Sequence, residues 1–363
     1  MALLRHYQGK GLALLRLYSQ EVTHLERNSS DLAKCWRWKG SRHDYGKQKK
    51  FGSPYSLMFV PAILKGLFSS EEAEEANPET NLVSLIKRSI LQMQARTITC
   101  SKGETEKAER LLHIALKMAQ DLKHEKGITY VYDTMANLAF ENGEYAKAQG
   151  LFVEVLRRLI GSGLPQDDMI VINISLKIAD TFVALSEYEK GEQGFLFCID
   201  TLKKKISAGA SDEDTLMLLA QALDRYSLYL HHERRPKEAI QHIEKAIEIA
   251  ESTLGTLDNK VGAILLSDMG VIKTAAGEKE VANQCFEKAL DIAKKEEVDT
   301  SAAVIMVNRG VALGDYGSHE DAIHWCELGL QRALKENNTL ILKAAEECLK
   351  ANKNVKTSNY EKV

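Results

Sequence analysis

The stretch Ile128–Leu159, ITYVYDTMANLAFENGEYAKAQGLFVEVLRRL, reads as two helices joined by a tight turn. Tyr132, Met135, Ala136 and Ala139 recur at helical spacing. Asn142-Gly143 then breaks the run. Glycine takes a positive φ without a Cβ clash, so Gly143 suits the end of the first helix. Tyr145, Ala148, Phe152 and Val155 form the apolar stripe of the second helix. The small residue at Ala148 lets the two helices approach, and Phe152 fills the space beside it. One such hairpin cannot bury its apolar face alone, so copies of it are required.

The copies are present. The small residue of the second helix recurs at Ala108, Ala148, Gly191, Ala239, Ala282 and Ala322. Four residues on stand Leu112, Phe152, Phe195, Ile243, Phe286 and Cys326. Seven on stand Ala115, Val155, Cys198, Ala246, Ala289 and Gly329. Five before stand Gly103, Gly143, Ser186, Arg234, Gly277 and Gly317. This order is similar to the second half of a tetratricopeptide repeat, whose minimal length is about 34 residues. The spacings here are 40, 43, 48, 43 and 40, so the helices or their connections are longer. Polar connections at 161–168, 207–214 and 255–260 take up part of the excess. The large aromatic of the first helix is missing from most copies, and the closing proline is not seen. The fold class expected is all-α: a tetratricopeptide-type α-solenoid of about six helix hairpins, with Leu340–Leu349 as a C-terminal capping helix. The competing reading, an unrelated helical bundle, does not account for a fixed residue order repeated six times.

Composition agrees with an all-helical chain: among 363 residues, aromatics make up 7% and proline counts 5. The net charge of −3 conceals an asymmetry. Residues 1–70 carry 12 Lys/Arg against four acids, a net +8, and residues 71–363 carry 36 Lys/Arg against 47 Asp/Glu, a net −11. An acidic body argues against nucleic acid as a partner. The first twenty residues hold Arg5, Lys10 and Arg16 among leucines, with no acid before Glu21. That is the composition of a mitochondrial presequence, the plainer alternative being a surface helix. Residues 34–50 stay basic and include Trp36 and Trp38, which suits a continued presequence or contact with RNA or anionic lipid. The apolar run 57–68 is too short for a bilayer, which takes roughly 20 apolar residues, and Pro61 and Lys65 interrupt it. The expected organisation is a basic presequence and flexible segment at 1–50, a short apolar membrane-associated segment and acidic linker at 51–78, a repeat solenoid at 79–350 and a polar tail at 351–363.

Signals for chemistry are weak. Cys35, Cys100, Cys198, Cys285, Cys326 and Cys348 form no Cys-x-x-Cys pair. Cys198, Cys285 and Cys326 fall on apolar stripes, where a free thiol packs as a small hydrophobe, and a reducing compartment is the simplest reading. His231-His232-Glu233 is the densest ligand-like cluster, but adjacent histidines on a helix point about 100° apart. His319 and His324, five apart, also miss a common face. Gly161-Ser162-Gly163 lacks a third glycine and a preceding strand, so it is no dinucleotide loop. No catalytic residue, metal site, cofactor or small-molecule substrate is expected.

An α-solenoid offers instead a concave face made by the first helix of each hairpin, suited to extended segments or partner helices. Its expected partner-binding residues are Tyr130, Asp133 and Asn137 in the second copy, Asn173 and Asp180 in the third, and Gln221 and Asp224 in the fourth. Their chemistry favours a basic or donor-rich segment, although a solvated face with no partner explains any one of them equally well. The fifth and sixth copies place Ile264, Val271, Val304, Val307 and Val311 there, an apolar strip that either binds a partner or is covered by the C-terminal helix. A clamp for an acidic chaperone tail is disfavoured, because Met93 and Thr97 stand where such clamps place Lys and Asn.

Three segments are more specific than the fold. ITYVYDTMANLAF at 128–140, ISLKIA at 174–179 and FCIDTL at 197–202 closely resemble the mitochondrial tetratricopeptide repeat protein 19 family, and the similarity extends from about Leu82 to Leu349. The resemblance implies a non-enzymatic, matrix-facing protein of the mitochondrial inner membrane. It further implies association with respiratory complex III and clearance of N-terminal fragments of the Rieske iron–sulfur subunit. An acidic concave face suits a cleaved targeting fragment, which is basic. For a true span, the charges flanking 57–68 would place the body outside the matrix, so a matrix-facing body requires that run to be removed or to lie at the interface. The competing class is a cytosolic tetratricopeptide adaptor serving cargo, cell division or chaperones, with an N-terminus that only mimics a presequence.

Overall fold

The computed structural model describes residues 102–295, 299–335 and 339–360. Among them are twelve helices and no strand: α1 (Lys102–Asp121), α2 (Glu125–Glu141), α3 (Tyr145–Gly161), α4 (Met169–Ala184), α5 (Tyr188–Ser207), α6 (Glu213–His232), α7 (Pro236–Leu254), α8 (Lys260–Ala275), α9 (Lys279–Lys295), α10 (Asp299–Asp315), α11 (His319–Lys335) and α12 (Thr339–Tyr360). α2/α3, α4/α5, α6/α7, α8/α9 and α10/α11 are five of the expected hairpins, and α12 follows them as a cap. The basic leader, the apolar run, the acidic linker and the first helix of the first copy lie outside the described residues. Among the described residues no helix is long and apolar enough to cross a membrane.

The turn inside each hairpin has one chemistry. At the first, Gly143 N–H donates to Phe140 O at 3.0 Å and Glu144 N–H to Ala139 O at 2.9 Å, which satisfies the last carbonyls of α2. Gly143 pays for this with a φ of 77° that a side chain would resist. The opposite ends are capped by side chains. The Asp168 carboxylate accepts from Ile170 N–H at 2.8 Å, Asp212 from Thr215 N–H at 3.0 Å and Asn259 from Gly262 N–H at 3.0 Å. These three caps start α4, α6 and α8, so the polar connections between hairpins serve as helix start signals. The widest spacing, 48 residues from Gly191 to Ala239, is absorbed by α5 and α6, which are 20 residues each.

Two units share the described chain: residues 125–200 form one, and residues 102–124 with 201–360 the other. In the first, Ala148 and Phe152 of α3 are fully buried with Ala136 and Ala139 of α2 and with Val171, Ile174 and Ile178 of α4. Gly191 of α5 runs so close to α4 that a Cβ there would stand 2.6 Å from a Val183 methyl. In the second, Phe286 of α9 fills the core between α8 and α10, and a Cβ on Gly270 would meet its ring at 2.9 Å. Burying a large ring against small residues on the facing helix is what the recurring small–large pattern encodes.

Three features depart from the sequence reading. Gly103, aligned with the turns, lies within α1. α12 runs on to Tyr360, through the segment expected to be a polar tail from Ala351. Cys326 is not a free thiol, since it forms a disulfide with Cys348, joining α11 to α12. The free-thiol reading therefore fails at Cys326: helical stripes locate buried cysteines but do not show which of them face each other across two helices. Cys198 and Cys285 are free and buried.

Candidate partner-binding face

In the first unit the expected residues lie on α2 and α4. Tyr130 is 2% exposed, and burial, with the Asp133 charge beside it, pushes its hydroxyl up to about 12. Asp133 is buried, and its carboxylate accepts from the Lys177 ammonium of α4 at 3.1 Å. Lys177 also stands 5.3 Å from the centre of the Phe152 ring. Asn137 is buried and donates its amide to the Asp133 carbonyl at 2.7 Å, which leaves its side-chain oxygen shielded from solvent. Asn173 and Asp180 are half-buried on α4. Burial, aided by the Asp180 charge, pushes the Cys198 thiol far up, and that thiol donates to Ile172 O at 3.6 Å. A thiol so protonated is no nucleophile.

Lys177 is the residue that sequence reasoning missed. It sits four residues after Asn173 and three before Asp180, so spacing places it on the same helical face but does not show that it pairs with Asp133 of another helix. Its ion pair ties consecutive first helices together and neutralises part of a face expected to be acidic.

In the second unit, Gln221 and Asp224 lie on α6, Gln221 half-buried and Asp224 buried. Tyr226 stacks on Tyr229, with ring centres 5.9 Å apart, and meets His242 of α7 edge-on at 4.9 Å. Burial depresses the His242 pKa, and the nearby Lys203 charge adds to this. On α8, Lys273 is buried between Glu244 at 3.2 Å and Glu278 at 3.1 Å. Burial opposes its charge, but the two glutamates outweigh that and hold its pKa above the usual lysine value. Asn308 of α10 donates to the Ser267 hydroxyl of α8 at 3.2 Å. The apolar strip is divided. Val304 and Val307 pack with Ile341 and Leu342 of α12, Val271 packs into the core around Phe286, and Val311 is 37% exposed.

Among the described residues no group of three or more His, Cys, Asp or Glu is placed to hold a metal ion. His232 Nδ1 is 3.1 Å from Glu233, and His319 Nδ1 is 2.8 Å from Asn352 Oδ1.

A tetratricopeptide repeat family model matches residues 218–295, from α6 to α9. The chain is 29% identical over 291 residues to the mitochondrial tetratricopeptide repeat protein 19 homolog of Drosophila melanogaster, spanning 80% of this chain and 77% of that protein. It is 32% identical over 276 residues to mitochondrial tetratricopeptide repeat protein 19 of Rattus norvegicus, spanning 71% of this chain and 75% of the rat protein. In fold it is similar to the crystal structure of a Rap protein complexed with competence and sporulation factor, with a TM-score of 0.53, 14% identity and coverage of 96% of this chain and 87% of that one.

Proposed function

The chain belongs to the mitochondrial tetratricopeptide repeat protein 19 family, and on that premise we propose that it is a non-catalytic scaffold of the mitochondrial inner membrane, associated with respiratory complex III, that promotes clearance of N-terminal fragments of the Rieske subunit. The observation that carries this reading is the similarity to relatives named mitochondrial over 71–80% of the chain. The body of helix hairpins faces the matrix and works by docking, with the half-buried Asn173 and Asp180 of the first unit and the half-buried Gln221 of the second as the groups a partner reaches, while Tyr130, Asp133, Asn137 and Asp224 are buried. A basic fragment approaching Asp133 has to displace Lys177, so the half-buried Asn173 and Asp180 on α4 make the first contact.

Affinity purification from mitochondria, with the Rieske fragments monitored, tests the proposal. Complex III and the fragments should be enriched with the wild-type chain, and the fragments should accumulate when the protein is removed. Asp133 and Asp224 are buried, so reversing their charge would confound binding with folding. Asn173→Lys with Asp180→Lys avoids this and should reduce fragment recovery while leaving the helical content unchanged. Recovery of neither complex III nor fragments with the wild-type chain would refute the assignment.

A further inference from the structure

We propose that the Cys326–Cys348 disulfide is a redox clasp that controls how firmly α12 is seated on the last hairpin. The cap makes a narrow contact. Its buried stripe consists of Ile341, Ala345, Cys348, Leu349 and Asn352, at helical spacing, while Lys343, Glu346, Glu347 and Lys350 on the other side are exposed. Ile341 and Ala345 pack on Ala303 and Val307 of α10 and on Ala333 of α11, and Cys348 and Leu349 pack around Cys326. Three of the five seated residues, Ala345, Cys348 and Asn352, are small or polar, so apolar burial alone holds this terminal helix less firmly than an interior helix covered on two sides.

α10 is shaped to accept the clasp. Gly310 and Gly314, four apart on one face, leave the space it needs: a Cβ on Gly310 would stand 2.3 Å from Cys326 Sγ, and one on Gly314 would stand 2.5 Å from Asn352 Oδ1. Asn352 adds a polar latch beyond the disulfide. It donates its amide to the Cys348 carbonyl at 2.9 Å, and its oxygen faces His319 Nδ1 at 2.8 Å.

Cys326 is fully buried and Cys348 is 5% exposed. With both cysteines this buried, a thiolate reaches either sulfur more readily when the second half of α12 lifts, which couples reduction to cap opening. In the forward step a dithiol reductant breaks the S–S bond. Cys326 and Cys348 each take up one electron and one proton, and the reductant leaves as its own disulfide. Oxidation by a disulfide reverses the same exchange. Once reduced, the cap is held by packing and the Asn352 latch alone. It then opens more often, uncovering Val304 and Val307.

The clasp stands apart from the proposed docking role and is tested without a partner. Full-length protein purified without reductant is denatured in N-ethylmaleimide and mapped by mass spectrometry. Cys198 and Cys285 should be alkylated, and Cys326 and Cys348 only after dithiothreitol. Hydrogen exchange of the native chain is then compared in its oxidised and dithiothreitol-treated forms. Amides of residues 341–353 should exchange at least tenfold faster after reduction, while those of α2–α4 stay unchanged. Cys348→Ala should exchange like the reduced wild type with or without dithiothreitol. The wild-type comparison stands even if that variant fails to fold. Alkylation of Cys326 and Cys348 without reductant, or equal exchange of α12 in the two redox states, overturns the proposal.

Discussion

At the scale of single residues, the backbone of the hairpin turn fixes a cost that the side chain cannot avoid. The aligned turn positions Gly143, Ser186, Arg234, Gly277 and Gly317 have φ of 77°, 65°, 58°, 86° and 87°. A residue with a Cβ loses roughly 1–2 kcal/mol in this region, and glycine does not. No atom lies within 4 Å of a Cβ built on Gly143, so Gly143→Ala isolates the strain, and a loss of about 1 kcal/mol is expected in urea unfolding. Arg234 is exposed, and Arg234→Gly should act in the opposite sense, by less, because glycine also gains freedom in the unfolded chain. A pH effect follows from His242. Its folded pKa is depressed by burial, so the unfolded chain, titrating near 6.5, binds the proton more readily. The stability this neutral ring contributes is complete above about pH 6.5 and is lost as pH falls from there towards the folded pKa. Urea midpoints at pH 7.5 and 5.5 should therefore differ less in His242→Gln than in the wild type.

At the scale of helices, the ion pair between α2 and α4 gives a sharper test than any single contact. Side-chain exposures of 17% for Lys177 and 11% for Asp133 place the pair largely out of water. Lys177→Met leaves the Asp133 carboxylate with no ammonium beside it and should cost about 2 kcal/mol. With Asp133→Asn added, the total loss should fall short of the sum of the two single losses by about 1–3 kcal/mol, read from a double-mutant cycle of urea unfolding. The same pair shows what a sequence exposes and what it withholds. Ala148 and Phe152 were legible because a small–large step repeats in five of the six copies and must mean close helix approach. Asp168, Asp212 and Asn259 were legible as polar connections, though not as the caps they prove to be. Lys177 and Cys348 were not legible as partners of Asp133 and Cys326, because each pairing depends on which faces of two helices meet, a matter of packing that no periodicity within one helix encodes. The end of α12 was misjudged for a related reason. A polar run past Leu349 resembles a tail until Asn352 is seen buried against Gly314 and His319.

At the scale of the whole molecule, charge separates a head from a body: a net +8 over residues 1–70 and a net −11 over the remainder. A membrane potential negative on the matrix side does work of about 2.3 kcal/mol per 100 mV on each positive charge that crosses it. On the proposed mitochondrial reading, a leader with three basic residues and no acid in its first twenty would be drawn inwards by that potential, and the acidic body would not. The head should therefore be sufficient for delivery, and the body neutral or unhelpful. A reporter fused behind residues 1–70 should accumulate in mitochondria and stop doing so when an uncoupler collapses the potential. The same reporter behind residues 79–363 should remain in the cytosol. Replacing Arg5, Lys10 and Arg16 together by Gln should reduce import of the full chain several-fold while leaving the purified body's thermal unfolding unchanged, because those residues lie outside the repeat array. Potential-independent import, or import of residues 79–363 alone, would show that the address lies elsewhere in the chain and that the basic head is only a surface segment.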